Sequence, residues 1–152
     1  SDAEKACLAA RTLGICPGEI IYFAVDYDFM AKQTETIVIP HFQGINDYFT
    51  ANNIGYRIGI YGSRNICSMV SDAGLACSSF VADMSTGYSG NMGYPLPDNW
   101  AFDQFYEYSF TGYDDSNGSF ALDKDVAFHY RTLQKHIRLH AQFHDPGNSH
   151  KR

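Results

Sequence analysis

The chain has 152 residues, enough for one domain, and its 45% hydrophobic content supports a real core. A formal charge of −6 argues against nucleic acid as the main partner. No apolar stretch approaches the roughly 20 residues of a membrane span, and Ser1 to Arg11 has neither the basic start nor the apolar centre of a signal peptide.

The elements follow in chain order. Ser1 to Leu13 reads as a helix, capped by Ser1 or Asp2, with Ala3, Cys7, Ala10 and Leu13 forming an apolar stripe that Gly14 ends. Cys16-Pro17-Gly18 is a turn. Ile20 to Val25 is rich in β-branched and aromatic residues and reads as a strand buried on both faces, as in a parallel sheet. Gln33 to Asn52 has helical spacing, with Pro40 marking either a kink or the helix start. Tyr56 to Tyr61 is a second strand, and Asn65 to Asp72 a helix behind Ser63. Ser78 to Ala82 is a third strand, and 84–99 a long loop of the kind that carries function. Trp100 to Phe105 is a fourth strand, Tyr113 to Ser119 a polar loop, Phe120 to Leu122 a fifth strand, and Asp125 to His140 a terminal helix. The remaining residues, 141–152, read as a disordered tail.

Alternating helices and strands predict a parallel sheet with helices outside it, either flavodoxin-like or part of an eight-stranded barrel. No glycine-rich phosphate loop follows the first strand, which argues against a nucleotide-binding sheet. The four cysteines Cys7, Cys16, Cys67 and Cys77 form no CxxC pair, so buried free thiols are expected and a zinc site is not. Five of the six histidines, from His129 onward, cluster near the C-terminus and only His41 lies elsewhere, which does not fit a metal site built on the strand ends. No cofactor is expected.

The first strand runs into Asp26-Tyr27-Asp28. Continued strand geometry would aim both carboxylates to one face, whereas a turn capping the next helix would account for them without a site. The other strand ends carry Tyr61, then Asp83 with Ser85, then Gln104, then Asp123. In a parallel α/β sheet these ends share the rim where ligands bind. Carboxylates there, with aromatic walls from Tyr27, Tyr88, Tyr94 and Trp100, point to a carbohydrate site.

Five pieces then form an ordered set: Tyr22-Phe23-Ala24-Val25-Asp26-Tyr27-Asp28, Ile58-Gly59-Ile60-Tyr61-Gly62-Ser63, Phe80-Val81-Ala82-Asp83, Trp100-Ala101-Phe102-Asp103-Gln104 and Leu122-Asp123-Lys124-Asp125-Val126. Together, over about residues 2–127, they resemble the glycoside-hydrolase-like barrel family related to glycoside hydrolase family 25 lysozymes. The resemblance implies a TIM-type (β/α)8 barrel, with residues 1–140 supplying about strands 4–8. Strands 1–3 are then expected from an N-terminal fragment or another chain that completes the barrel. It implies cleavage of the bond between N-acetylmuramic acid and N-acetylglucosamine in peptidoglycan, in a protein secreted or delivered to the cell wall. Asp26, Asp28 and Asp123 fall on its catalytic positions, with Asp28 as general acid where the lysozymes carry Glu. Like-charge repulsion from Asp26 is expected to raise the pKa of Asp28. Tyr27, Tyr61, Asp83, Trp100 and Gln104 fall on substrate-binding positions. The alternatives are a non-catalytic glycan-binding module on a degenerate barrel and an acidic metal-dependent hydrolase.

Overall fold

The computed structural model describes residues 1–111 and 119–128. Helix α1 (Asp2–Thr12) starts from a reciprocal cap: the Glu4 N–H donates to Ser1 Oγ at 3.3 Å while the Ser1 amino group reaches the Glu4 carboxylate. Strand β1 (Ile20–Ala24) follows, buried at every position. The next helix comes in three pieces: α2 (Ala31–Gln33), a π-helical turn (Thr34–Val38) and α3 (Ile39–Ala51). The Ile39 N–H donates to the Thr34 carbonyl, five residues back. This wider turn leaves Pro40, which has no N–H, in the first turn of α3 where none is needed. Strand β2 (Arg57–Gly62), helix α4 (Arg64–Asp72) and strand β3 (Ser78–Val81) complete the regular part.

The two last strands depart from the predicted pattern. Strand β4 (Trp100–Thr111) is about twice the expected length, and β5 (Ser119–Ala127) runs antiparallel to it. The sheet is therefore a mixed five-stranded half-barrel in sequential order, β1-β2-β3-β4-β5, with only the first four strands parallel. This overturns the expectation of a (β/α)8 barrel of which the chain supplies strands 4–8. The physical reason lies between Gln104 and Phe120. No helical pattern intervenes there, and antiparallel neighbours need only a short connection whereas a parallel crossover needs a dozen residues or more. The expected terminal helix is also corrected at its start, because Asp125–Ala127 belong to β5. Residues 129–140 of that helix, the tail, and all but Ser119 of the polar loop lie outside the described residues.

The helices pack one face of the sheet. Ile21, Phe23, Ile58 and Ile60 meet Phe42, Ile45, Phe49, Ile66 and Val70 in the main core. The other face carries a second cluster in which Tyr22, Tyr61, Phe80 and Phe102 meet edge to face or tilted, at centroid distances of 5.2–6.1 Å. Of the four free cysteines, Cys7 and Cys67 are buried as expected, whereas Cys16 and Cys77 are exposed.

Gly59 makes the second cluster possible. A Cβ there would lie 2.6 Å from the Tyr22 ring and 2.7 Å from Ile20 Cγ2. The ring lies across β2 and its hydroxyl reaches Ser78 Oγ at 2.8 Å. Gly59→Ala is expected to displace Tyr22 and cost about 1–3 kcal/mol, read as a lower urea midpoint at unchanged m-value.

Candidate functional site

The register aligns Ala24, Tyr61, Phe80 and Phe102 across the sheet, which sets a common rim just beyond them. At that rim β1 gives way to Asp26, Tyr27 and Asp28. The strand ends at Ala24 and the chain bends at Tyr27, where the Phe29 N–H bonds back to the Tyr27 carbonyl at 3.0 Å. The two aspartates are thus not placed by continued strand alternation, one of the two alternatives the sequence leaves open, and Asp28 is held instead by the 84–99 loop.

Two successive loop residues do this, and Tyr88, just before them, lies within the field of Asp26 and Asp28. Ser89 Oγ donates to Asp28 Oδ1 at 2.8 Å, and the Gly90 N–H reaches the same oxygen at 3.5 Å. Burial would raise the pKa of Asp28. The hydrogen bonds from Ser89, backbone and side chain, and from Gly90 outweigh that and hold the carboxyl below the ordinary aspartate value. The expected upward shift at Asp28 is therefore reversed, because the bonds to the charged form come from a loop 61 residues away. Tyr88 moves up from the ordinary tyrosine value, through burial first and then the charges of Asp26 and Asp28.

The loop is fixed on its far side to α4. The Asn65 N–H donates to the Gly90 carbonyl at 3.0 Å, and the Arg64 N–H donates to Asn91 Oδ1 at 2.9 Å. Two first-turn donors of the helix are thereby satisfied by the loop rather than by Ser63, whose side chain makes no capping bond. Asn91 Nδ2 returns to the Ala82 and Ser85 carbonyls at 2.9 and 3.0 Å.

The remaining predicted residues divide. Tyr61 and Gln104 meet on the sheet face opposite the described helices, the phenol donating to Gln104 Oε1 at 2.6 Å, with both side chains buried. Tyr27 is exposed at the rim, its ring tilted against Phe29 at 4.7 Å. Asp83 is at the rim but turns towards α4, where the Arg64 guanidinium binds it through two nitrogens and also reaches the Tyr94 carbonyl at 2.9 Å. Trp100 is not at the rim. It pairs with Ser79, below the strand ends, and its ring packs on Phe128 at 5.1 Å. Asp123 is not there either: it is exposed on β5 opposite Glu107, three residues beyond Gln104 along β4.

Sequence reasoning missed Asp103, Ser89, Gly90 and Asn91. Asp103 pairs with Val81 and is buried beside Asp83 and Arg64. Burial first, then the charge of Asp83, push its carboxyl up to about 6 against the opposing pull of Arg64. An Asp directly before the strand-end Gln104 was the available signal.

Comparison with known proteins places this geometry in context. The family model described as "Rv2525c-like, glycoside hydrolase-like domain" matches residues 1–145. The chain is 50% identical over 129 residues to uncharacterized protein YbfG of Bacillus subtilis (strain 168), covering 82% of the chain and 17% of that protein. It is 47% identical over 126 residues to uncharacterized protein FadG of the same organism, covering 82% of the chain and 21% of that protein. The chain thus spans about a fifth of the length of these curated relatives. No solved structure matches it.

The Asp103 shift has a pH signature. Because the folded carboxyl keeps its proton to a higher pH than an unfolded aspartate, stability is lost as pH rises from about 4 to about 6, and the loss is complete above that window. Asp103→Asn removes the ionisation. The variant is expected to melt above the wild type at pH 7.5, with the difference closing near pH 4, as followed by thermal unfolding across that range.

Proposed function

The chain belongs to the Rv2525c-like, glycoside hydrolase-like domain family, and we propose that it hydrolyses a glycosidic bond of peptidoglycan, the one between N-acetylmuramic acid and N-acetylglucosamine. The observation that carries this reading is the pair Asp26 and Asp28 at the strand-end rim, with Asp28 held by Ser89 and Gly90 and the exposed Tyr27 ring between the two in sequence. Glycoside hydrolysis needs a proton donor for the leaving oxygen and a negative group for the oxocarbenium-like transition state. Asp28, bonded in its ionised form, suits the negative role: it stabilises positive charge at the sugar carbon or orients the 2-acetamido N–H. Asp26, exposed until a glycan covers it, takes the proton-donor role. Tyr27 offers a flat apolar face for a sugar ring. Such a protein works at the cell wall.

One observation favours a second reading, a glycan-binding module that does not cut. Asp28 occupies the position at which the resemblance puts the acid, and its hydrogen bonds hold it ionised.

Purified peptidoglycan separates the two. Muropeptide release is measured by chromatography and binding by co-sedimentation, for the wild type, Asp26→Asn and Asp28→Asn. The hydrolase reading predicts release by the wild type and a fall of about 10²–10⁴-fold in Asp26→Asn with binding retained. Binding without release by the wild type would establish the second reading, and neither binding nor release would overturn both.

A further inference from the structure

Beyond Asp103, the last residue of β4 that pairs with β3, β4 and β5 continue together as a two-stranded ribbon. Its two faces differ in chemistry. We infer that one face, built from Tyr106, Tyr108, Phe110, Phe120 and Lys124, binds a glycan strand that carries carboxylates, at a site made of other residues than the Asp26–Asp28 rim. The inference rests on the peptidoglycan reading above only for the choice of glycan.

Three observations support it. The first is the register. It shifts between Gln104 and Tyr106, and beyond that point Tyr106, Tyr108 and Phe110 stand opposite Lys124, Leu122 and Phe120. Directly opposed residues of an antiparallel pair share a face, so all six lie on one side. Tyr106, Phe110 and Phe120 are exposed there and Tyr108 is half-buried. A contiguous row of open rings is the kind of surface that marks an interaction site. The second is ring geometry. Tyr106 and Tyr108 are nearly parallel, with 17° between their planes and 6.3 Å between centroids, and Phe110 meets Phe120 at 5.4 Å. Such a row offers flat apolar faces to the C–H sides of successive sugar rings, while the tyrosine hydroxyls exchange hydrogen bonds with sugar hydroxyls. The third is charge. Lys124 Nζ lies 5.6 Å from the Tyr106 centroid and 5.1 Å from that of Tyr108, and it is the only cation on β4 and β5. Glu107 and Asp123 oppose each other on the other face. A carboxylate is thus drawn to the aromatic face and repelled from the other.

Other occupants fit less well. Strand addition along β5 meets Asp123, Lys124 and Asp125 at the middle of that edge. An anionic lipid surface meets three ribbon carboxylates, Glu107, Asp123 and Asp125, for one ammonium. A saccharide needs the aromatic face alone, and the lactyl carboxylate of N-acetylmuramic acid gives Lys124 its counter-charge.

The test is an NMR titration of the ¹³C-tyrosine-labelled full chain, in the Asp26→Asn background so that cleavage does not consume the ligand. The ligands are a soluble peptidoglycan tetrasaccharide with its muramic carboxylates and the neutral tetramer of N-acetylglucosamine. Tyr27 reports on the rim, and Tyr106 and Tyr108 report on the ribbon. The expected result is saturable movement of the Tyr106 and Tyr108 signals with the muramic ligand. Adding Lys124→Gln is expected to weaken that binding by about threefold or more and to leave the neutral tetramer unchanged. Movement at Tyr27 alone overturns the ribbon site while leaving the glycan reading of the rim intact. Movement at the ribbon alone supports the site and counts against the rim. Equal affinity in Lys124→Gln overturns the carboxylate preference, and no movement with either ligand overturns the site. Phosphatidylglycerol vesicles that move the ribbon signals where neither saccharide does would overturn it in favour of a membrane surface.

Discussion

The rim depends on the seating of four loop residues, Tyr88 to Asn91, between the end of β1 and the first turn of α4. Gly90 is the tightest point. Its N–H faces Asp28, its carbonyl accepts from Asn65, and the space where a side chain would start is filled by Ser63. Asn91 adds three side-chain bonds, one to α4 and two to the chain leaving β3. A loop without regular structure is thereby tied to three neighbouring elements at its midpoint. The Asp28 carboxylate takes its position and its charge state from that seating.

Much of the parallel portion was legible in the sequence because each cue is local. Apolar runs with glycine or proline boundaries located β1, β2 and β3 within a residue or two, and a cap at Ser1 or Asp2 located the start of α1. Pro40 was ambiguous for a physical reason: a π-helical turn lets the helix run through it, and residue preferences do not encode that turn. The C-terminal strands were not legible. Aromatics at Tyr106, Tyr108 and Phe110 continue β4 on one face, but the predicted strand stops at Phe105, and Asp125 read as a helix start. The barrel inferred from family resemblance failed there, since it presumed a helix where the chain pairs antiparallel.

Legibility of the site followed the same division. That Asp26 and Asp28 mark a rim could be read from a buried strand ending in carboxylates. The electrostatics of Asp28 could not, because the groups that bond it come from Ser89 and Gly90. Asp83 was found at its strand end, but its direction was not, since that depends on Arg64 reaching back from α4. Trp100, read as the start of its strand, was assigned to the rim by motif and lies below it, and Asp123 was displaced from the rim by the antiparallel course of β5. Asp103, the buried acid with the raised pKa, belongs to the Arg64 cluster and not to the open rim. In that cluster Arg64 ties strand end, helix and loop together, through Asp83 and the Tyr94 carbonyl.

The central claim is that Asp28 is a fixed anion around which the loop is seated. The most direct measurement is the pH titration of the Asp28 side-chain carboxyl carbon by NMR, with the Ser89 and Gly90 amide protons followed in the same samples. The account predicts a midpoint below the ordinary aspartate value of about 3.9, shared by both amides as their bonds to the carboxylate are lost. A midpoint at or above that value, or amides that do not respond to it, would contradict the account.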